Sequence, residues 1–161
     1  MSIDLFGYIF PHSEYELQTA MSKASILKNI ESETKFSIYE DGSLWGHVNG
    51  GGFKVWLRSR SKGGFKVISS GSIEETEKGS LVKIKTSYHS SDVLAIGVIL
   101  GLLTLFVVCE FASLLLGNII LGLFEITSCS AIFFLIVFLL KKIFKKQEAK
   151  MKKILQDIIV L

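Results

Sequence analysis

The sequence lacks most of the features that identify an enzyme or a disulfide-linked domain. Its two cysteines, Cys109 and Cys129, lie in an apolar region, and neither has a nearby Cys or His at metal-ligand spacing. This pattern predicts neither a disulfide nor a metal site. His12, His47 and His89 are far apart, and no nucleophile motif joins the Ser, Asp and His residues. We therefore predict no enzyme activity, no cofactor and no metal ion.

Two further absences concern the chain ends and the middle. The first ten residues have no basic segment and no small-residue cleavage site, so we expect no signal peptide.

Residues 93–140 are nearly free of charge, since Glu110 and Glu125 are the only charged residue types among these 48 residues. One membrane helix needs about 20 apolar residues, so this run is long enough for two. With Gly117-Asn118 as the reversal, we predict a transmembrane hairpin with spans at 93–115 and 119–140.

The net charge of +3 comes from the C-terminal end of the chain. Residues 1–92 carry 11 basic and 11 acidic side chains, whereas residues 141–161 carry seven lysines and two acids. Lysines beside a membrane span are favoured on the cytoplasmic side and by anionic lipid, so nucleic acid is not needed to explain them. We predict a multi-pass inner-membrane protein with both termini in the cytoplasm, which contacts lipid and binds no nucleic acid.

Residues 1–92 have the patterns of one small cytoplasmic α+β domain. The apolar residues from Ile3 to Phe10 predict a short strand, and the capping-box pair Ser13 and Glu16 predicts a helix over 14–31. From Thr34 onward apolar residues alternate with period two, and Gly, Asn and Asp separate the runs. This alternation predicts an antiparallel β-meander on which the helix packs. The glycines at 50–52 precede a strand, which favours a turn over a phosphate-binding loop.

Residues 141–161 predict a basic amphipathic helix. Such a helix can pack on the cytoplasmic domain or lie in the lipid headgroups, and the sequence leaves both placements open. Its lysines lie mainly on one face, and the apolar positions of the other face are Ile143, Phe144, Met151, Ile154, Leu155, Ile158 and Ile159.

The order of these parts resembles a group of uncharacterised small bacterial membrane proteins. The resemblance rests on Leu44-Trp45-Gly46-His47-Val48, Phe53-Lys54-Val55, the stretch from Phe65 to Ile73, and Gly79-Ser80-Leu81-Val82-Lys83-Ile84. It implies a helix and a β-meander followed by two membrane spans. It implies no catalytic residues.

Glu110 and Glu125 are the strongest candidates for a functional site. They are equidistant from the predicted reversal, so a simple hairpin places each roughly 11 Å from its tip. An ionised carboxylate at that depth in lipid is costly, so each must be protonated, paired, hydrated or turned toward protein. The pair could lie near the headgroups of a shallow tip, form an interface with a partner, or relay protons or cations.

Other candidates concern packing and surface contacts. Gly97 and Gly101 have the spacing that permits close approach of two membrane helices. Trp45 and Trp56 are expected in the core or at an interface, with ligand stacking as the alternative. Basic side chains that are either solvated or in contact with headgroups or a partner are Arg58, Arg60, Lys62, Lys141, Lys142, Lys145 and Lys146.

These patterns favour a non-catalytic role. The cytoplasmic domain is expected to bind a protein or lipid at the inner membrane face, and the hairpin to anchor it, as a homo-oligomer or with a membrane-protein partner. An ion- or proton-conducting subunit is the alternative, and it depends on Glu110 and Glu125 alone.

Overall fold

The structure is a computed structural model that describes residues 7, 9–35, 44–57, 65–115 and 119–160, with side chains for all of these except 35 and 113–124. Within these residues the architecture is α+β, as predicted. The strands are β1 (Ser13–Thr19), β2 (Leu44–Asn49), β3 (Gly52–Leu57), β4 (Val67–Thr76) and β5 (Gly79–Tyr88). The helices are α1 (Lys23–Lys35), α2 (Ser90–Leu115) and α3 (Ile119–Val160).

The chain forms two compact units. One, which we call the sheet unit, combines Met1–His89 with Ile143–Leu161. The other, which we call the hairpin unit, is Ser90–Lys142. Helix α3 contributes its first part to the hairpin unit and its last part, which we call the tail, to the sheet unit.

All five strands form one antiparallel sheet in the order β1-β5-β4-β3-β2. The predicted meander is confirmed from β2 to β5, where each strand pairs with the next one along the chain. The predicted strand residues Phe36 and Ile38 lie outside the described residues. The turn between β2 and β3 forms at the predicted Asn-Gly-Gly segment, where the Asn49 Oδ1 atom accepts hydrogen bonds from the amides of Gly51 and Gly52, at 3.1 and 2.9 Å.

The predicted helix over 14–31 is wrong in its first half. Residues 13–19 form strand β1, which pairs with β5 from Ser13 opposite Thr86 to Thr19 opposite Ser80. Burial alternates along β1 with period two, since Tyr15 and Leu17 face the core and Glu14 is exposed. The capping-box match is therefore a coincidence of an alternating strand sequence. The strand wins because β5 offers a full row of backbone partners, which a local cap cannot match.

Helix α1 begins after Ser22 instead. The Ser22 Oγ atom accepts a hydrogen bond from the Ser25 amide at 3.3 Å, which is the contact that an N-cap serine makes with the third helical residue. The strand predicted at 3–10 is also wrong where it can be judged. Gly7 and Ile9 are helical, and residues 1–6 and 8 lie outside the described part of the chain.

The turn between β4 and β5 depends on Gly79. Its φ angle is +132°, a region that residues with a Cβ atom rarely occupy. A Cβ atom built at this position would also overlap with the carbonyl oxygen of Thr19. The backbone of β1 therefore approaches the turn too closely for any other residue.

The core of the sheet unit lies between one face of the sheet and two helical segments. Ile26 and Ile30 of α1 are fully buried, and so are Leu155 and Ile159 of the tail. The tail thus completes the core, which answers the question that the sequence left open about its placement. The sheet contributes the apolar side chains Leu44, Phe53, Val55, Ile73, Val82 and Ile84 to this cluster.

The hairpin unit contains two helices that are long and apolar enough to cross a membrane, at Ser90–Ala112 and within Glu125–Val160. Among its described side chains, the apolar ones that are buried are Ile96, Leu100, Val137 and Leu140. Most of the others are exposed, as Leu94 at 72% and Phe134 at 66% illustrate. The reversal predicted at Gly117-Asn118 lies outside the described residues.

Candidate functional site

The hairpin unit brings the two candidate glutamates together. Glu110 lies on α2 and Glu125 on α3, and their side chains lie within interaction distance of each other. Two adjacent carboxyl groups are costly in an apolar environment, which makes this pair the main candidate for a functional site in the hairpin unit.

A groove of about 250 Å³ lies between α2 and α3. Along both helices it is farther from the predicted reversal than Glu110 and Glu125 are. Its polar side chains are Thr104, Cys129 and Ser130. The Thr104 hydroxyl donates to the Leu100 carbonyl at 2.9 Å, so its donor is used within its own helix. The groove is otherwise lined by Leu103, Val107, Phe133 and Phe134. It is an apolar surface with few polar groups, and it holds no constellation for acid, base or nucleophilic chemistry.

Gly97 and Gly101 do not mediate the contact between α2 and α3. A Cβ atom built at either glycine meets no other atom within 4 Å, as far as the described residues show. A contact with a second chain would use this open face, and that role stays a prediction.

The basic candidates lie in different places. Lys145 and Lys146 are exposed on the tail, and Lys142 is exposed at the end of the hairpin unit, where Lys141 is half-buried. Arg58, Arg60 and Lys62 lie outside the described residues. Across the described part of the chain, no three His, Cys, Asp or Glu side chains form a group that could hold a metal ion.

The face of the sheet opposite the core carries charged pairs across its strands. Lys85 of β5 lies 2.7 Å from Glu14 of β1, and Lys83 lies 2.8 Å from Glu74 of β4. The hydrogen bond and charge of Lys85 lower the pKa of Glu14, and those of Glu74 raise the pKa of Lys83. These exposed pairs help to fix the register of the sheet and indicate no catalytic chemistry.

Tyr15 lies at the junction of β1 and the tail. Burial, together with the negative charge of Glu148, raises the pKa of its phenol to about 12. The ammonium of Lys152 lies 4.9 Å from the centre of its ring, which is within the range of a cation–π contact. Tyr15 therefore stays neutral at physiological pH and serves packing between the strand and the tail.

Gln147 connects the tail to the start of β4, a contact that the sequence did not predict. Its Oε1 atom accepts a hydrogen bond from the Val67 amide at 3.3 Å, and its Nε2 atom donates to the Phe65 carbonyl at 2.9 Å. The side chain thus pairs with the backbone at the start of β4 as a neighbouring strand would. The sequence does contain an indication of this role. Gln147 lies three residues after Phe144 and four before Met151, so it is a polar residue on the helix face that buries Phe144, Met151 and Leu155.

Comparisons with models of known protein families and with curated proteins find no match for this chain. The resemblance to small bacterial membrane proteins therefore stays a prediction.

Proposed function

We propose that this protein is a non-catalytic integral membrane protein whose sheet unit binds a protein or lipid partner at the inner membrane face. In this proposal, the hairpin unit anchors the sheet unit and joins it to a larger membrane assembly. Both termini face the cytoplasm.

The main support is the way in which the sheet unit is assembled from the two ends of the chain. Strands β1 to β5 precede the hairpin and the tail follows it, yet Val82, Ile84, Leu155 and Ile159 belong to one core. Two segments that share a core must lie on the same side of a membrane. An even number of spans between them satisfies that condition, and the lysines of the tail favour the cytoplasmic side.

The surface of the hairpin unit supports membrane insertion. Among the described residues, 13 of the 15 large apolar side chains that are exposed belong to residues 94–139. A water-soluble protein rarely leaves a contiguous apolar surface of this kind uncovered, whereas lipid covers it at no cost.

Extraction experiments test this proposal. The full chain should remain with the membranes after an alkaline carbonate wash and dissolve only in detergent. Mass measurement of the detergent-extracted particle should give more than one chain or an additional protein, because the proposal assigns the hairpin to an assembly. Release by carbonate would contradict membrane anchoring, and a single chain with lipid alone would contradict the assembly.

The second candidate function is a subunit that moves protons or cations, and the proximity of Glu110 and Glu125 favours it. Replacing both with Gln keeps a similar volume but removes the titrating carboxyls. An anchor should then keep its expression and assembly and the phenotype of the parent. A double variant that assembles normally and loses activity would refute the anchor and support ion movement.

A further inference from the structure

The sheet unit is joined to the hairpin unit at two points, after His89 and before Ile143. Both points lie at the same end of the sheet unit. The ring of Tyr88 lies 5.4 Å from that of Phe144, and the Gln147 side chain binds the backbone of Phe65 and Val67. Val67 is the direct partner of Tyr88 in the sheet. We call this end of the sheet unit the connection end.

The connection end carries an exposed tryptophan. We call the face of the sheet opposite the core its open face. On this face, the row of paired residues nearest the connection end crosses four strands and consists of Trp45, Trp56, Ile68 and Ser87. Trp45 is 50% exposed. The other large apolar side chain that is exposed in the described part of the sheet unit is Val160, at the end of the tail. Trp45 is therefore an exception to an otherwise buried apolar set.

Three exposed lysines accompany this tryptophan. Lys66 directly precedes β4, and its carbonyl accepts a hydrogen bond from the His89 amide at 2.8 Å. Lys145 and Lys146 follow Phe144, whose ring packs on Tyr88. The side chains of all three are exposed. Exposed basic residues thus lie close to both points at which the chain leaves the sheet unit.

The opposite end of the sheet has a different character. The turn between β4 and β5 exposes Glu75, Glu77 and Lys78, so acids outnumber bases there. Ser87 lies eight positions after Gly79 along β5, a distance of about 26 Å at the rise of an extended strand. We call the end of the sheet at this turn the acidic end, and the connection end carries Trp45 and the three exposed lysines instead.

We propose that the connection end contacts the anionic headgroup layer of the bilayer, with Trp45 at the interface and Lys66, Lys145 and Lys146 facing the lipid phosphates. This inference rests on the membrane insertion in the proposed function. If α2 enters the bilayer, the sheet stays close to the membrane surface at this end, because His89 is the single residue between β5 and α2. Tryptophan prefers the membrane interface, and lysine is attracted to anionic lipid.

The chain offers a direct probe, because Trp45 and Trp56 are its only tryptophans. The parent chain should be reconstituted in vesicles of phosphatidylglycerol and phosphatidylcholine, and its fluorescence measured with acrylamide and with lipids brominated near the top of the acyl chain. We expect a blue shift, protection from acrylamide and loss of emission to the brominated lipid. The Trp56→Phe variant assigns these changes to Trp45.

A matched reporter controls for proximity to the vesicle. Glu77→Trp, made in a chain that also carries Trp45→Phe and Trp56→Phe, places one tryptophan at the acidic end. It should remain open to acrylamide and unquenched by brominated lipid. The inference is overturned if Trp45 behaves like this reporter. It is also overturned if Trp45 is protected from acrylamide without lipid quenching, which indicates a protein contact, or if the quenching is the same in pure phosphatidylcholine vesicles.

Carbonate extraction of the same vesicles tests membrane anchoring separately from the headgroup contact. A chain that is washed off contradicts membrane anchoring and this inference together. A chain that stays embedded while Trp45 shows no lipid quenching contradicts the headgroup contact alone.

Discussion

The sheet unit and the hairpin unit solve the burial of apolar side chains in opposite ways. The sheet unit covers its apolar residues with its own segments, and the buried hydroxyls of Ser69 and Thr86 are hydrogen bonded to each other at 2.8 Å. The hairpin unit leaves side chains such as Leu94 and Phe134 uncovered. The first pattern is typical of proteins in water, whereas the second is typical of membrane-inserted helices. One chain thus contains a unit with a covered apolar core and a unit whose two helices are long and apolar enough to cross a membrane.

The largest expected effect tests whether the tail belongs to the water-soluble core. Leu155→Asp places an unpaired charge at a fully buried position, so the sheet unit should lose about 3 kcal/mol or more of stability. Gln156→Asp, at the exposed neighbouring position, is the matched control. Thermal unfolding of the detergent-solubilised chain measures both. Equal melting temperatures for the two variants would mean that the tail does not pack in the core.

The same comparison can be made on α1. Ile30 is fully buried, whereas Leu27 is partly buried beside the core. Ile30→Asp should therefore destabilise the sheet unit by about 3 kcal/mol or more, and Leu27→Asp by less. The reverse order in unfolding experiments would contradict the face of α1 that packs on the sheet.

The next effect concerns the turn at the acidic end. Gly79→Ala should lower the free energy of unfolding by about 1–3 kcal/mol, since alanine at positive φ is strained. Its methyl group would also overlap with the Thr19 carbonyl oxygen. Gly50→Ala is the control, because a Cβ atom there meets nothing within 4 Å. Chemical denaturation should separate the two variants. A neutral Gly79→Ala variant would show that β1 does not approach this turn.

A comparable or smaller effect is expected at the connection end. Gln147→Ala leaves the Val67 amide and the Phe65 carbonyl without their side-chain partner, which should cost about 1–3 kcal/mol. Gln156→Ala removes an exposed glutamine from the same helix and should be nearly neutral. Hydrogen exchange at the Val67 amide gives a second measurement. Unchanged protection in Gln147→Ala would contradict the hydrogen bond to this side chain.

The sequence predicted the hairpin unit better than the sheet unit because the signals differ in length. A run of 48 nearly uncharged residues predicts two long apolar helices, and the structure contains two helices long and apolar enough to cross a membrane. Around Ser13 and Glu16, by contrast, a capping box and a strand alternation fit the same few residues. The choice depended on β5, which lies more than 60 positions away along the chain. Local patterns cannot reveal such a partner.

The candidate site shows the same limit. The spacing of Glu110 and Glu125 from a central reversal was visible in the sequence, and the structure brings the two side chains into contact. The contact of Gln147 with the start of β4 spans 80 residues, so its partner could not be predicted. The half-exposed position of Trp45 was equally hidden, because strand alternation does not say which face of a sheet is covered.

The smallest effect is a pH dependence on the open face of the sheet. Lys85 lowers the pKa of Glu14 below its usual value of 4.5. A lowered folded-state pKa gives stability that is present above the unfolded-state pKa and is lost as the pH falls through the folded-state value. Lys85→Met should therefore flatten the stability profile slightly below pH 4.5. An identical profile in that range would mean that the ion pair contributes nothing measurable.

The central claim is that the strands and the tail lie on the same side of the membrane and share one core. Single cysteines at the exposed positions Glu77 and Gln156, in a chain with Cys109→Ala and Cys129→Ala, test it with a membrane-impermeant maleimide on intact cells. We expect neither cysteine to be labelled from outside and both to be labelled after permeabilisation. Labelling of one cysteine but not the other in intact cells would contradict the account.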